Sequence, residues 1–203
     1  AELLGYTHDY SIYDTTDSKS VIKHIIKDFS LDDKIYKTSV VLARISVAKN
    51  NLQSPNLYAA DREYLMRDRF EKMNEMSRIY AEYNRRLKAA NAMDFDDIIV
   101  NTVNLLEKYS DVREYYQRKF KYIMVDEYQD TNGAQFELVR LLAGAHKNLC
   151  VVGDDDQSIY KFRGADIRNI LDFEKVYPDA LVVRLEQNYR STQNILDAAN
   201  AVI

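Results

Sequence analysis

The chain has 203 residues, 46% hydrophobic and 30% charged, enough for one large domain or two small ones whose core needs no staples. Its net charge of −4 is evenly spread, with 17 Lys/Arg against 19 Asp/Glu in residues 1–116 and 11 against 13 in residues 117–203. That excludes a basic duplex-wrapping protein and leaves nucleic-acid contact to local groups and aromatic stacking. One cysteine, Cys150, and three scattered histidines, His8, His24 and His146, exclude an internal disulfide and a zinc site. No run approaches the roughly 18 apolar residues of a membrane span. The first residues lack signal-peptide character, and a soluble protein of a reducing, cytoplasmic compartment is expected.

Residues 1 to about 117 read as helical. Asp17-Ser18 is placed to cap a helix with Val21, Ile22, Ile25, Ile26 and Phe29 on its apolar face. A second helix is expected over Ser39 to Asn50. A long third one is expected after Pro55, with Met66, Phe70, Met73, Ser77, Tyr80, Tyr83 and Leu87 on one face. Its other faces carry Arg62, Arg67, Arg69, Lys72, Arg78, Arg85, Arg86 and Lys88, a solvated surface or a nucleic-acid contact. Met93-Asp94-Phe95-Asp96-Asp97 then opens a helix bearing Ile98, Ile99, Val103 and Leu106, with Asp94 or Asp96 as its N-cap.

From residue 118 the period changes. Three short apolar runs, Tyr122–Val125, Leu149–Val152 and Leu181–Val183, alternate with helical stretches near 133–145, 166–176 and 192–203. This pattern predicts βαβ units and a parallel sheet of buried strands covered on both faces, with Cys150 inside it. Ligands of such sheets bind beyond the carboxyl ends of the strands, where all three runs turn polar.

The first polar string is Asp126-Glu127-Tyr128-Gln129-Asp130-Thr131. Adjacent carboxylates closing an apolar strand are costly unless compensated. A hydrated Mg²⁺ suits one of them, and the other can orient or deprotonate a water. The alternative is an ordinary strand end with an Asp-rich turn. The second string, Gly153-Asp154-Asp155-Asp156-Gln157-Ser158-Ile159-Tyr160-Lys161-Phe162-Arg163-Gly164, offers a neutral amide, two aromatics and a cation, a set that can stack bases and hold phosphates or simply plug a core. In the third, Glu186-Gln187-Asn188-Tyr189-Arg190-Ser191-Thr192, an arginine stands where it can neutralise a transferred phosphoryl group or form a structural ion pair, and Ser191 or Thr192 can cap the last helix.

In this order and separation the three strings resemble superfamily 1 DNA helicases of the UvrD/PcrA/Rep group, PcrA/UvrD-like within it. The resemblance extends to Met93-Asp94-Phe95-Asp96-Asp97 and Ser11-Ile12-Tyr13-Asp14, and so across essentially the whole chain. It implies an α/β fold: a partial RecA-like P-loop NTPase domain over residues 118–203, with an all-helical insertion subdomain over residues 1–117. It implies a 3′–5′ translocase that consumes ATP with Mg²⁺, acts on single-stranded and duplex DNA and serves repair or replication. Asp126 would coordinate Mg²⁺ and Glu127 would be the general base. Gln157 would sense the γ-phosphate, Tyr189 would stack on adenine and Arg190 would act as an arginine finger. Tyr160 and Phe162 would stack on DNA bases, with Arg163 linking the DNA and nucleotide sites. Phe162 departs from the family's usual Trp, with a smaller π-face and no indole N–H. Asp155 stands where a small residue such as Ala is common.

The phosphate-binding pattern Gly-x-x-x-x-Gly-Lys-Ser/Thr does not occur among Gly5, Gly133, Gly144, Gly153 and Gly164. The chain therefore reads as an internal fragment, with the Walker A loop expected before residue 1 and a second motor domain after residue 203. Alone it is expected to be inactive. The motor of a recombination helicase-nuclease, or a non-catalytic DNA- or protein-binding module, are the alternative readings.

Overall fold

The computed structural model describes residues 1–158 and 164–202. Two parallel strand pairs organise the chain. β1 (Ser11–Tyr13) pairs with β2 (Ala92–Asp94), Tyr13 opposite Asp94, and β3 (Ile123–Val125) pairs with β4 (Leu149–Val151), Val125 opposite Val151. The first pair was not expected from periodicity, because three residues are too few to show a period of two.

Each strand of the first pair runs straight into a capped helix. Asp14, not Asp17-Ser18, caps α1 (Thr15–Asp28): its carboxylate accepts from Thr16 N–H and Asp17 N–H, and Asp17 bonds back to Asp14 N–H. Asp94 and Asp97 repeat this capping box at α6 (Phe95–Lys108). Each box satisfies orphan amides that a helix start otherwise leaves bare, a contribution of about 0.5–2 kcal/mol.

The expected long helix after Pro55 is three helices: α3 (Pro55–Ala60), α4 (Arg62–Phe70) and α5 (Met76–Ala89). Asp61 ends α3 and caps α4, accepting from Glu63 and Tyr64 N–H, and Lys72 turns the chain at φ 58° before α5. The break changes which face is buried. Met73, Tyr80, Tyr83 and Leu87 join the core, whereas Met66 and Phe70 face solvent and Asp68 points inward instead. There Asp68 binds the Arg44 guanidinium and accepts from the Tyr58 hydroxyl. Much of the basic surface is internally paired: Arg85 and Arg86 with Glu82, Arg86 also with Asp28, and Arg78 with Glu75.

The main core lies between α1, α2 (Thr38–Asn50), α3 and α5, built from Ile22, Ile25, Val41, Ile45, Tyr58, Met76, Ile79 and Tyr83. A second cluster joins Val103 and Leu106 of α6 to Leu141 of α8 (Gly133–Ala143), with Val112 and Tyr116 of α7 (Ser110–Lys119) against it. Between the two cores Lys49 is buried against Asp94 and Asp97, 2.7 Å from each, and the Tyr83 hydroxyl donates to Asp94 at 2.9 Å. Burial raises the Asp94 carboxyl, yet Lys49 and the Tyr83 hydroxyl bring it below its ordinary value. Burial and the neighbouring Asp94 charge leave Asp97 raised.

Two expectations for the second half are corrected. Leu181–Val183 is not a strand. Its backbone has no ladder partner among the described residues, and Leu181 is 89% exposed. The β3–β4 pair is not covered on both faces: Met124 is 81% exposed, and Tyr122, Cys150 and Val152 are exposed as well. These four share one side of the pleat, since Met124 pairs with Cys150 and side chains two apart point the same way. The helices are shorter than expected too. α9 (Arg168–Leu171) and α10 (Phe173–Val176) divide the 166–176 stretch, and α11 (Gln193–Asn200) starts after Thr192. No helix among the described residues is long and apolar enough to cross a membrane.

Candidate nucleotide site at the carboxyl end of β3 and β4

β3 ends at Val125, and the next two residues turn out of the sheet. Glu127 sits at φ 51°, ψ 42°, the left-handed region that a non-glycine residue occupies at a cost of about 1–2 kcal/mol. The turn stops the strand and starts a 3-10 turn over Tyr128–Asp130. Asp126 and Glu127 are consequently both exposed beyond the end of β3.

The surrounding bonds hold this conformation. Glu127 N–H donates to Asp126 Oδ1 at 2.9 Å, and Asp130 N–H donates to Glu127 O at 2.9 Å. Tyr128 N–H donates to Val152 O at 3.0 Å, so the turn is fastened to the end of β4. The Tyr128 ring is buried edge-on against Phe173, and burial pushes its hydroxyl up to about 12. Thr131 closes the turn through its Oγ1, which donates to Tyr128 O, and the Asn169 side-chain amide donates back to Thr131 O. Asn132 then caps α8 and donates its Nδ2 to Asn50 Oδ1 at 3.1 Å.

The second string lies beside the first, as the parallel pairing requires. Asp154 caps a 3-10 turn over Asp155–Gln157, and Gln157 Nε2 donates to Asp154 Oδ2 at 2.7 Å. Asp155 faces solvent. Gln129 of the first string, which periodicity gave no reason to single out, reaches across to the second. It is 1% exposed, donates Nε2 to Glu127 Oε2 at 2.8 Å and accepts Asp154 N–H on Oε1 at 3.1 Å. Gly153 matters for the same reason. A Cβ there would lie 2.5 Å from Gln129 Oε1, 2.8 Å from Ile170 Cδ1 and 3.2 Å from the Tyr128 backbone nitrogen, so a larger residue would displace the Gln129 amide from between the loops.

Thus Asp126, Glu127 and Gln157 belong to two loops joined by hydrogen bonds. The third string is not joined to them by any described contact. Tyr189 is 92% exposed, and Asn188 Oδ1 accepts from Arg190 N–H and Ser191 N–H in a local turn. Tyr160, Phe162 and Arg163 lie outside the described residues. A cavity of about 650 Å³, lined by Glu114, Gln117, Lys121, Tyr122 and His146, opens at the other end of β3, away from the carboxylates.

The donor set suits Mg²⁺. Mg²⁺ takes one or two carboxylates and fills its shell with water and phosphate oxygens. Asp126 is an exposed carboxylate with Oδ1 oriented by the backbone, and it meets that requirement.

The model of the UvrD/REP helicase N-terminal domain matches residues 1–178. The chain is 51% identical over all 203 residues to the ATP-dependent DNA helicase PcrA of Staphylococcus aureus (strain NCTC 8325 / PS 47), and 50% identical over the same length to the ATP-dependent DNA helicase PcrA of Staphylococcus epidermidis (strain ATCC 12228 / FDA PCI 1200). It spans 27% of the length of each of these curated relatives.

Proposed function

Because the chain belongs to the UvrD/REP helicase N-terminal domain family, we propose that Asp126 and Glu127 are the magnesium-binding and water-activating carboxylates of an ATP-driven DNA motor. The observation that carries this reading is the left-handed turn at Glu127. It presents both carboxylates at the carboxyl end of a parallel strand, next to the Gln157 loop. Strain of this kind persists where surrounding bonds over-determine it, and it is often found at working sites.

The roles follow from the chemistry of each group. When bound, Mg²⁺ neutralises phosphate oxygens, and Asp126 is the carboxylate that would hold it. Gln129 donates to Glu127 Oε2, which leaves Oε1 and the second lone pair of Oε2 to take the proton of an attacking water. Gln157, tied at Asp154, offers its amide to the γ-phosphate of ATP. Tyr189 stacks on the adenine and Arg190 neutralises charge at the γ-phosphate, both brought in from the third string. Tyr160, Phe162 and Arg163 contact DNA by stacking and charge.

In the whole protein this unit would drive 3′–5′ movement on single-stranded DNA and separation of duplexes, in the cytoplasm. The division into a helical insertion subdomain over 1–117 and motor residues over 118–203 belongs to the same proposal. Support comes from the first core, which gathers α1, α2, α3 and α5 from within residues 1–117, whereas β3, β4 and α8 all follow residue 118. In a full-length protein carrying this segment, Glu127→Gln lowers DNA-stimulated ATP hydrolysis by about 10²–10⁴-fold while ATP still binds. Unchanged hydrolysis would sink the assignment. Residues 1–203 alone, with no phosphate-binding glycine loop, give no measurable hydrolysis.

A further inference from the structure

We propose that Gln129 is a positioning residue that locks the Glu127 carboxylate to the loop carrying Gln157, so that the base and the γ-phosphate amide move as one unit. The inference rests on the reading of Glu127 and Gln157 above and adds a residue and a physical link to it.

The link is continuous. Glu127 Oε2 accepts from Gln129 Nε2, Gln129 Oε1 accepts from Asp154 N–H, and Asp154 Oδ2 accepts from Gln157 Nε2, over 2.8, 3.1 and 2.7 Å. Asp154 Oδ1 meanwhile accepts from Asp156 N–H at 3.1 Å, which fixes the carboxylate that Gln157 reads. Ser158 Oγ donates to the Gln129 carbonyl at 3.5 Å, a second tie between the two loops.

The chemistry of the ends dictates a glutamine. A carboxylate at Glu127 can only accept, and the Asp154 backbone N–H can only donate. A side chain spanning them must donate at one end and accept at the other, and only one orientation of the Gln129 amide does so. Glutamate at this position retains the acceptor for Asp154 and loses the donor to Glu127. Methionine, similar in length, loses both. Gln129 is buried between the exposed Glu127 and Gln157, so its amide has no bulk water to replace either bond it makes. The Tyr128 backbone bond to Val152 and the bare Gly153 hold the loops at the separation the amide requires.

The test uses a full-length protein carrying this segment and measures ATP hydrolysis with and without single-stranded DNA. Gln129→Met and Gln129→Glu are both expected to lower kcat by about 10–100-fold, with the KM for ATP within about 3-fold of the parent. A tether that only holds the loops together would leave Gln129→Glu near the parent rate, since that variant keeps the Asp154 bond; this outcome overturns the proposal. Gln129→Met combined with Gln157→Ala is expected to be no slower than the slower single variant, because both break one chain of bonds. Losses that multiply would overturn the proposal as well. Glu127→Gln separates the two readings. If it retains activity, the assignment of the base fails. If it is inactive while the Gln129 variants are not, only the positioning role fails.

Discussion

Asn132 donates its side-chain amide to the side-chain oxygen of Asn50 at 3.1 Å, and both residues are buried. This bond joins the last residue of α2 to the cap of α8, directly after the carboxylate-bearing turn. Asn50 is closely enclosed: a Cβ on Gly133 would lie 3.1 Å from its carbonyl oxygen, and one on Gly164, at φ +88°, would lie 3.2 Å from its Nδ2. The helical half of the chain therefore touches both loops of the candidate site through one amide. Asn50→Leu leaves the Asn132 Nδ2 buried without a partner, and a loss of about 1–3 kcal/mol is expected in urea unfolding. Stability within about 0.5 kcal/mol of the parent would show that the bond contributes nothing.

Lys49, one residue earlier, makes a stronger prediction. It is the cation for two buried carboxylates, Asp94 and Asp97. Lys49→Met leaves both negative charges without compensation, and a loss of about 3–5 kcal/mol is expected, since breaking a buried pair strands the remaining charge. Adding Asp97→Asn should restore part of that loss. If the double variant is less stable than Lys49→Met alone, the electrostatic explanation is wrong.

Glu82 makes the acid-sensitive contribution on the helical surface. Hydrogen bonds from Arg85 and Arg86 hold its carboxyl at about 2, down from 4.5. A depressed carboxyl stabilises the fold fully above its unfolded value and loses that effect as pH falls through the folded value. Glu82→Gln is therefore expected to be less stable than the parent at pH 7, with the difference shrinking between about pH 4.5 and pH 2. Thermal unfolding of both chains across that range checks the sign, and a difference that grows on acidification contradicts it. Arg85 is largely exposed, so solvent screening keeps the effect small.

Cys150 reports on the bare face of the β3–β4 pair. A buried strand cysteine would resist thiol reagents, whereas this one lies open beside Met124. One equivalent of an aromatic disulfide reagent is expected to react with the folded chain at low protein concentration without denaturant. Protection until unfolding would mean that this face is covered in solution.

The sequence by itself determined the family: its three polar strings resemble the UvrD/PcrA/Rep group, and the UvrD/REP helicase N-terminal domain model matches residues 1–178. It also determined the helix faces wherever apolar residues recur over several turns, as at Ile22, Ile25 and Ile26. Periodicity records only which side of an element is apolar, so it failed where a polar residue makes the decision. Asp61 and the left-handed Lys72 broke the helix expected after Pro55, and Asp68 replaced Phe70 on its inner face. Pairing was not legible either, because a strand depends on a partner remote in sequence. Ser11–Tyr13 found one in Ala92–Asp94, and Leu181–Val183 found none among the described residues. Only the tertiary structure turned Glu127 out of the sheet and set Gln129 between it and Asp154. A left-handed turn and a buried amide bridge arise from the approach of two loops 25 residues apart, a distance over which no local pattern carries information.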